Sequence, residues 1–131
     1  MPPGERVSLS AMVLRRSKTY TSENGNVYQY YFVGKRAAFS SDPFAPATEF
    51  IFDVNSARQP AFAVSIFLPP LSVERWKQAH GRSLSDPEEY AAAKRKLFRG
   101  FDELEDVRES GRRLLIETQE LEDLLSELGV D

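Results

Sequence analysis

The chain contains no cysteine. A disulfide framework, a thiolate zinc site and a cysteine nucleophile are therefore excluded, and the protein carries no thiol redox chemistry of its own. Histidine is nearly as scarce: His80 is the single one, so no two imidazoles can share a metal and a serine nucleophile would have one candidate base. No serine sits in a Gly-x-Ser-x-Gly elbow, and neither Gly-x-Gly-x-x-Gly nor a Gly-Lys-Ser/Thr phosphate loop occurs. Support for acyl transfer or nucleotide-dependent catalysis is thus missing. No apolar run approaches membrane-spanning length, and the opening MPPGERV lacks the basic end and apolar core of a signal peptide. These absences lead us to expect a soluble cytoplasmic protein with no cofactor, no metal and no membrane contact, and nothing in the sequence marks an enzyme.

At 131 residues the length suits one domain, large enough to bury a core without staples. The net charge of −3 hides an asymmetry. Residues 1–101 hold 14 Lys and Arg against 9 Asp and Glu, whereas residues 102–131 hold 3 against 11. A mildly basic body followed by an acidic end can bind an anion, or can neutralise itself through internal or dimer contacts.

The stretch from Thr48 to Leu68 organises the rest. Thr48, Phe50, Phe52 and Val54 alternate with Glu49, Ile51 and Asp53, and Phe62, Val64, Ile66 and Leu68 alternate again after a polar break. Period two on both sides of a turn-favouring segment predicts a hairpin of half-buried strands. Phe67 makes the second strand apolar on both faces, which suits a central position. Val7, Leu9, Ala11 and Val13 read as an earlier strand running toward Arg16. Between them, Asn24-Gly25 predicts a two-residue type I′ turn that would set Thr21 opposite Tyr28 and Thr19 opposite Tyr30. Gly34 marks a bulge or bend, and Ser40 to Pro46 reads as a loop.

Pro69-Pro70 ends the β half. Helices are expected over about 72–80, stopped by Gly81, then 86–109, opened by Asp86-Pro87, and 112–128, separated at Ser110-Gly111. The predicted class is α+β: an antiparallel sheet of four or five strands within residues 6–68, packed on one face by the C-terminal helices. Strands that precede helices in sequence favour this class over an alternating α/β fold. Residues 1–131 form one domain in this reading, with 112–131 an acidic C-terminal helix.

Three functional readings follow. The first is a non-enzymatic protein that recognises another macromolecule, a protein partner or a second copy in a homodimer. Leucines on the last helix exceed a single seam, and Leu114, Leu121, Leu125 and Leu128 are the expected interface. The second is single-stranded nucleic-acid binding by the basic-aromatic hairpin 15–36, where Tyr28 to Phe32 lies beside cations and Arg16, Lys18, Tyr31, Lys35 and Arg36 are the candidate contacts. The third is a small-molecule binder or enzyme with a pocket between sheet and helices near Trp76 and Tyr90. Adjacent acids such as Glu88-Glu89 and Asp102-Glu103 diverge by about 100° around a helix and read as solvated surface. Lys94, Arg95, Lys96 and Arg99 read as a solvated helix face too, and His80 as a helix-end residue.

Overall fold

The apolar alternation of residues 48–68 carries into two neighbouring strands of one five-stranded sheet. The computed structural model describes residues 17–56 and 60–131. The expected strand from Val7 toward Arg16 lies outside them. Strands β1 (Lys18–Thr21), β2 (Val27–Ser40), β3 (Ala45–Ser56) and β4 (Phe62–Leu68) form an antiparallel meander, and β5 (Arg113–Leu115) joins β4 in parallel. Phe50 pairs with Ile66 and Phe52 with both Phe32 and Val64. One face of the sheet is therefore a continuous apolar layer, and the helices lie on it. Phe67 fits the central place of β4, between β3 and β5.

The first hairpin differs from expectation by one residue. Lys18 pairs with Tyr30 and Tyr20 with Tyr28, while Thr19 meets Gln29 and Thr21 meets Val27. The loop is three residues, Glu23-Asn24-Gly25, closed by Ser22 N–H to the Asn26 carbonyl at 2.8 Å, with Gly25 at φ 88° in the left-handed region. Glycine takes the third loop position, as three-residue hairpin loops require, and not the second position of a type I′ turn. A one-residue shift moves every side chain to the opposite face. Tyr20, and not Thr19, thereby joins Tyr28 and Tyr30 on the core side. The expected irregularity at Gly34 is a bulge between Phe32 and Gly34, so Lys35 faces the core side and Arg36 the opposite one.

Helix α1 (Pro70–His80) ends at Gly81, φ 74°, whose N–H bonds to the Lys77 carbonyl. Helix α2 (Asp86–Glu103) is opened by Ser85, one residue before the expected cap. Ser85 Oγ accepts the Glu88 N–H, and Glu88 returns the bond to the Ser85 N–H at 2.9 Å. Arg82 donates to both Glu88 oxygens at 3.0 and 2.9 Å. These bonds from Arg82 and Ser85 hold the Glu88 carboxyl at about 2, against an ordinary 4.5. Because the folded value is depressed, this anchorage is complete above about 4.5 and is lost as pH falls through about 2. A side-chain NMR titration should place the Glu88 midpoint near 2, and Arg82→Ala should move it upward. A midpoint at 4.5 in the unsubstituted protein would show that the pair does not form in solution.

Past α2 the expected helices contract. α2 stops at Glu103, a single turn α3 (Val107–Ser110) follows, residues 113–115 are strand, and only α4 (Thr118–Glu127) of the expected 112–128 is helical. The break at Gly111 falls where expected, and crowding explains why a glycine stands there. A Cβ there would lie 2.7 Å from Leu104 Cδ1 and 3.1 Å from the Val107 carbonyl oxygen. Leu114 and Leu115 leave the helical pattern because the edge of β4 offers backbone partners: Ser65 N–H donates to the Arg112 carbonyl at 2.8 Å and Ile116 N–H to the Phe67 carbonyl at 2.9 Å.

Between sheet and helices, Phe50, Phe52, Val64, Ile66, Leu97 and Phe101 are fully enclosed and Trp76 nearly so. Leu121, Leu124 and Leu125 are also at 0 % exposure within the single chain. This corrects the expected partner interface: Leu121 and Leu125 face the chain's own core, Leu114 is half-buried in β5 against it, and only Leu128 reaches the surface. The acids of α4 have an internal use as well. Glu120 accepts Lys96 at 2.7 Å and Arg99 at 3.4 Å, and Glu127 accepts Arg95 at 3.1 Å and Arg99 at 2.5 Å. The basic stretch Lys94 to Arg99 of α2 and the acids Glu120 and Glu127 thus neutralise each other, which offsets part of the charge asymmetry.

Candidate functional site

The sheet outruns its helical cover at one end. The tip of the β2–β3 hairpin, Ser41 to Phe44, projects beside the start of α1 and the β5–α4 junction, and between them runs a groove of about 500 Å³. Pro43 and Pro46 line one wall, Pro69, Pro70 and Leu71 another, and Leu115 and Ile116 the third. Local chemistry builds these walls. Asp42 at φ 49° and a cis Asp42–Pro43 bond shape the tip, and Pro69-Pro70 places a rigid, donor-free segment before the helix. Phe39 and Phe44 stack at the tip with centroids 4.9 Å apart and planes 3° from parallel.

The serine and threonine hydroxyls of the groove are already engaged, and the Glu117 carboxylate is exposed at its rim. Ser40 Oγ donates to the Pro43 carbonyl at 2.7 Å, and the hydroxyls of Ser72 and Thr118 lie 3.3 Å apart. Arg113 Nη2 reaches Ser41 Oγ at 3.3 Å and ties β5 to the tip. What remains for a ligand is mainly apolar surface. Phe44 is 79 % exposed, Leu71 59 % and Phe39 55 %. The last two are as exposed as many surface lysines, yet neither carries a polar atom beyond its backbone.

The residues expected to contact nucleic acid are not brought together. Tyr28 and Tyr30 are buried beneath α2, stacked on Phe101 at 4.2 Å and edge-on to Phe98 at 5.4 Å. These two present no ring to a base, and Tyr31 is half-buried on the opposite face of the sheet. Lys35 lies on the helical side near Phe50 and Asp86. Tyr31 and Arg36 lie on the other face, where Tyr31 OH donates to Asp53 at 2.7 Å and Arg36 Nε to Glu49 at 2.8 Å. Lys18 stands at the β1 edge, and Arg16 is outside the described residues. The bulge at Gly34 causes this scatter, because it inverts the side-chain parity between Tyr31 and Lys35.

Glu49 itself is the most enclosed charge among the described residues, 5 % exposed. Burial pushes its carboxyl up, but hydrogen bonds from Ser65 (2.5 Å) and Arg36, with the charges of Arg36 and Arg113, outweigh burial and leave it below its ordinary range. Its carboxylate is buried with a bond to each oxygen, while the Arg36 side chain that pairs with it is mostly exposed.

The chain matches no known family model, curated protein or solved structure. The chemistry of its own surface has to carry the reading. The space expected near Trp76 and Tyr90 is occupied by rings: Tyr90 packs on Phe32 at 4.9 Å and Phe52 at 6.2 Å, and Trp76 stacks on His80 at 4.1 Å. His80 is not a helix-end bystander either, since its Nε2 lies 2.7 Å from Glu122 and links α1 to α4. Among the described residues no group of three His, Asp or Glu could hold a metal ion, and no helix is long and apolar enough to cross a membrane.

The groove was not foreseen from sequence, although a signal was present. Phe39 and Phe44 flank a Ser-Ser-Asp-Pro turn, and Leu71 follows two prolines. Large apolar residues inside punctuation that ordinarily carries polar ones are the trace such a surface leaves.

Proposed function

We propose that the protein is a non-enzymatic binding domain that takes an apolar segment of a protein partner in the groove between the β2–β3 tip and the start of α1. The observation that carries this is an apolar groove whose wall includes the exposed Leu71, with the exposed Phe39–Phe44 stack on the hairpin tip that borders it. Contiguous apolar surface of this kind marks interaction sites, because leaving it in water forgoes about 25 cal/mol for each square ångström that a partner would cover. Aromatic residues contribute most to such contacts, so Phe44 and Phe39 on the bordering tip, with Leu71 in the groove wall, are the expected anchors. Prolines beside them add affinity by rigidity, since their backbone has little freedom to lose on binding.

Selection of random displayed peptides on the full chain tests this reading. We expect recovered peptides to share two or more apolar side chains and to bind a Phe44→Ser, Leu71→Asp variant at least about tenfold more weakly. Peptides that bind the variant as well as the original would place recognition elsewhere and end the proposal. An unchanged unfolding midpoint in the variant, expected for exposed positions, separates lost binding from lost fold.

A further inference from the structure

We infer that two copies of this chain join edge to edge, strand β2 against strand β2, over residues 34–40. The surface is distinct from the groove, which runs from the hairpin tip toward β5. Strand β1 covers β2 only from Val27 to Tyr30. Among the described residues no strand pairs with the outer side of β2 between Gly34 and Ser40. This is the longest free edge of the sheet, since β1 has four residues and β5 three. Backbone alternation decides which groups that edge offers, because hydrogen bonds of successive residues point to opposite sides of a strand. Ser65 and Phe67 spend theirs on β5, through Ser65 N–H to the Arg112 carbonyl and Ile116 N–H to the Phe67 carbonyl. Ile66 therefore faces β3, its partner Phe50 faces β4, and Glu49 and Ala47 face β2. Arg36 and Ala38, opposite these two, are bonded to β3. The N–H and C=O groups of Lys35, Ala37 and Phe39, all exposed residues, are left pointing outward.

The occupant follows from the stretch itself. Between the bulge before Gly34 and the turn that starts at Ser41, the midpoint is Ala37. Two identical antiparallel strands related by a two-fold axis place one residue opposite itself, and Ala37 at that point sets Lys35 opposite the second copy's Phe39 and Arg36 opposite its Ala38. The outward groups of Lys35, Ala37 and Phe39 then meet their counterparts in about six backbone hydrogen bonds. No like charges stand directly opposite each other. Both cations are already neutralised within their own chain, Lys35 by Asp86 at 3.6 Å and Arg36 by Glu49 at 2.8 Å. The Lys35 side chain lies along the second copy's Phe39, a cation–aromatic contact that covers a ring 55 % exposed in the single chain. Alanines at the centre let the strands approach. An edge protected against pairing carries charge, proline or a bulge, and here the bulge and the lysine stand at one end of the stretch. A foreign strand would find the same backbone groups, but only a second copy brings the matching Phe39 and Ala38.

Sedimentation velocity on the full chain, from about 10 μM to about 1 mM, tests this. The paired stretch is short beside the roughly 20–30 residues a side of a standard interface, so the mass is expected to rise with concentration from one chain toward two. Over the same range amide exchange at Lys35, Ala37 and Phe39 should slow, while the amides of Arg36 and Ala38, already bonded to β3, should hardly change. Ala37→Pro removes an N–H that β3 does not use and should raise the concentration of half-association about tenfold or more, since each copy loses a bond. Ala38→Lys, set against the second copy's Arg36, should also weaken association, and Ala38→Glu should strengthen it. A single-chain mass throughout the range, growth beyond two chains, or association that a folded Ala37→Pro variant leaves intact would overturn the inference. If Ala37→Pro fails to fold, the two Ala38 variants decide alone, and equal association by both overturns it.

Discussion

Phe101→Ala should lower the unfolding free energy by about 3–5 kcal/mol, the range for emptying the site of an enclosed aromatic ring. The ring is 0 % exposed and stacks on Tyr28 at 4.2 Å and 6°. It also meets Tyr20 at 5.7 Å and Phe98 at 6.4 Å. Stacked pairs add about 0.5–1.5 kcal/mol beyond the area they cover. The cavity would open beneath β1, a strand of four residues whose other tertiary anchors are the Tyr20–Phe98 stack at 4.2 Å and the Tyr20 hydroxyl bonded to Asp102 at 2.8 Å. Amide exchange in β1 should therefore accelerate more than exchange in β3. Against a total stability of about 5–15 kcal/mol, the loss would be plain in a urea melt. A cost under about 1 kcal/mol would mean that the ring is not where the core is.

Trp76 supports a second pair of expected results. Its indole is 3 % exposed, stacked by His80, and covered by the Arg82 guanidinium at 5.0 Å. Trp76→Ala should cost about 3–5 kcal/mol. Trp76→Phe should cost far less, within about 1 kcal/mol of the original, because two effects oppose. Phenylalanine gives up ring volume, but it also removes Nε1, which is buried with no hydrogen-bond partner among the described residues. An unpaired buried donor destabilises by about 1–3 kcal/mol. Equal losses in the two variants, measured by chemical denaturation, would show that indole shape dominates and that the unpaired donor carries no such penalty.

Legibility in the sequence followed the range of the forces concerned. Strands β3 and β4 were readable because their period-two pattern is long and their faces differ sharply in polarity, and Gly81 and Ser85-Asp86-Pro87-Glu88 were readable because helix ends depend on nearest neighbours. The turn at Asn24-Gly25 was found but misregistered, since a three-residue loop and a two-residue loop share the same glycine and only pairing tells them apart. Residues 113–115 were beyond local reading. Leu114 and Leu115 suit a helix, and the free edge of β4 that recruits them is set by tertiary structure. The leucines of α4 looked surplus because the predicted helix was too long by about two turns. Once β5 takes its share, Leu121, Leu124 and Leu125 are accommodated in the core and Leu128 alone is exposed. Of the site, the groove was missed because its three walls come from three separated segments, each unremarkable alone.

The order of elements along the chain has a consequence during synthesis. All four antiparallel strands leave the ribosome before the first helix does, and each pairs with a neighbour across a short loop. Their apolar layer, including Phe50, Phe52, Val64 and Ile66, is complete before any of its cover has been made. Elongation proceeds at about 5–20 residues per second, so residues 69–131 take on the order of several seconds to appear. Throughout that interval the nascent chain carries a sheet with a bare hydrophobic face and, at β4, an edge not yet capped by β5. Such a face binds other nascent chains readily. Slowing translation after Pro70 should thus raise aggregation, and a holdase at the tunnel exit should lower it, without any change in the stability of the finished molecule.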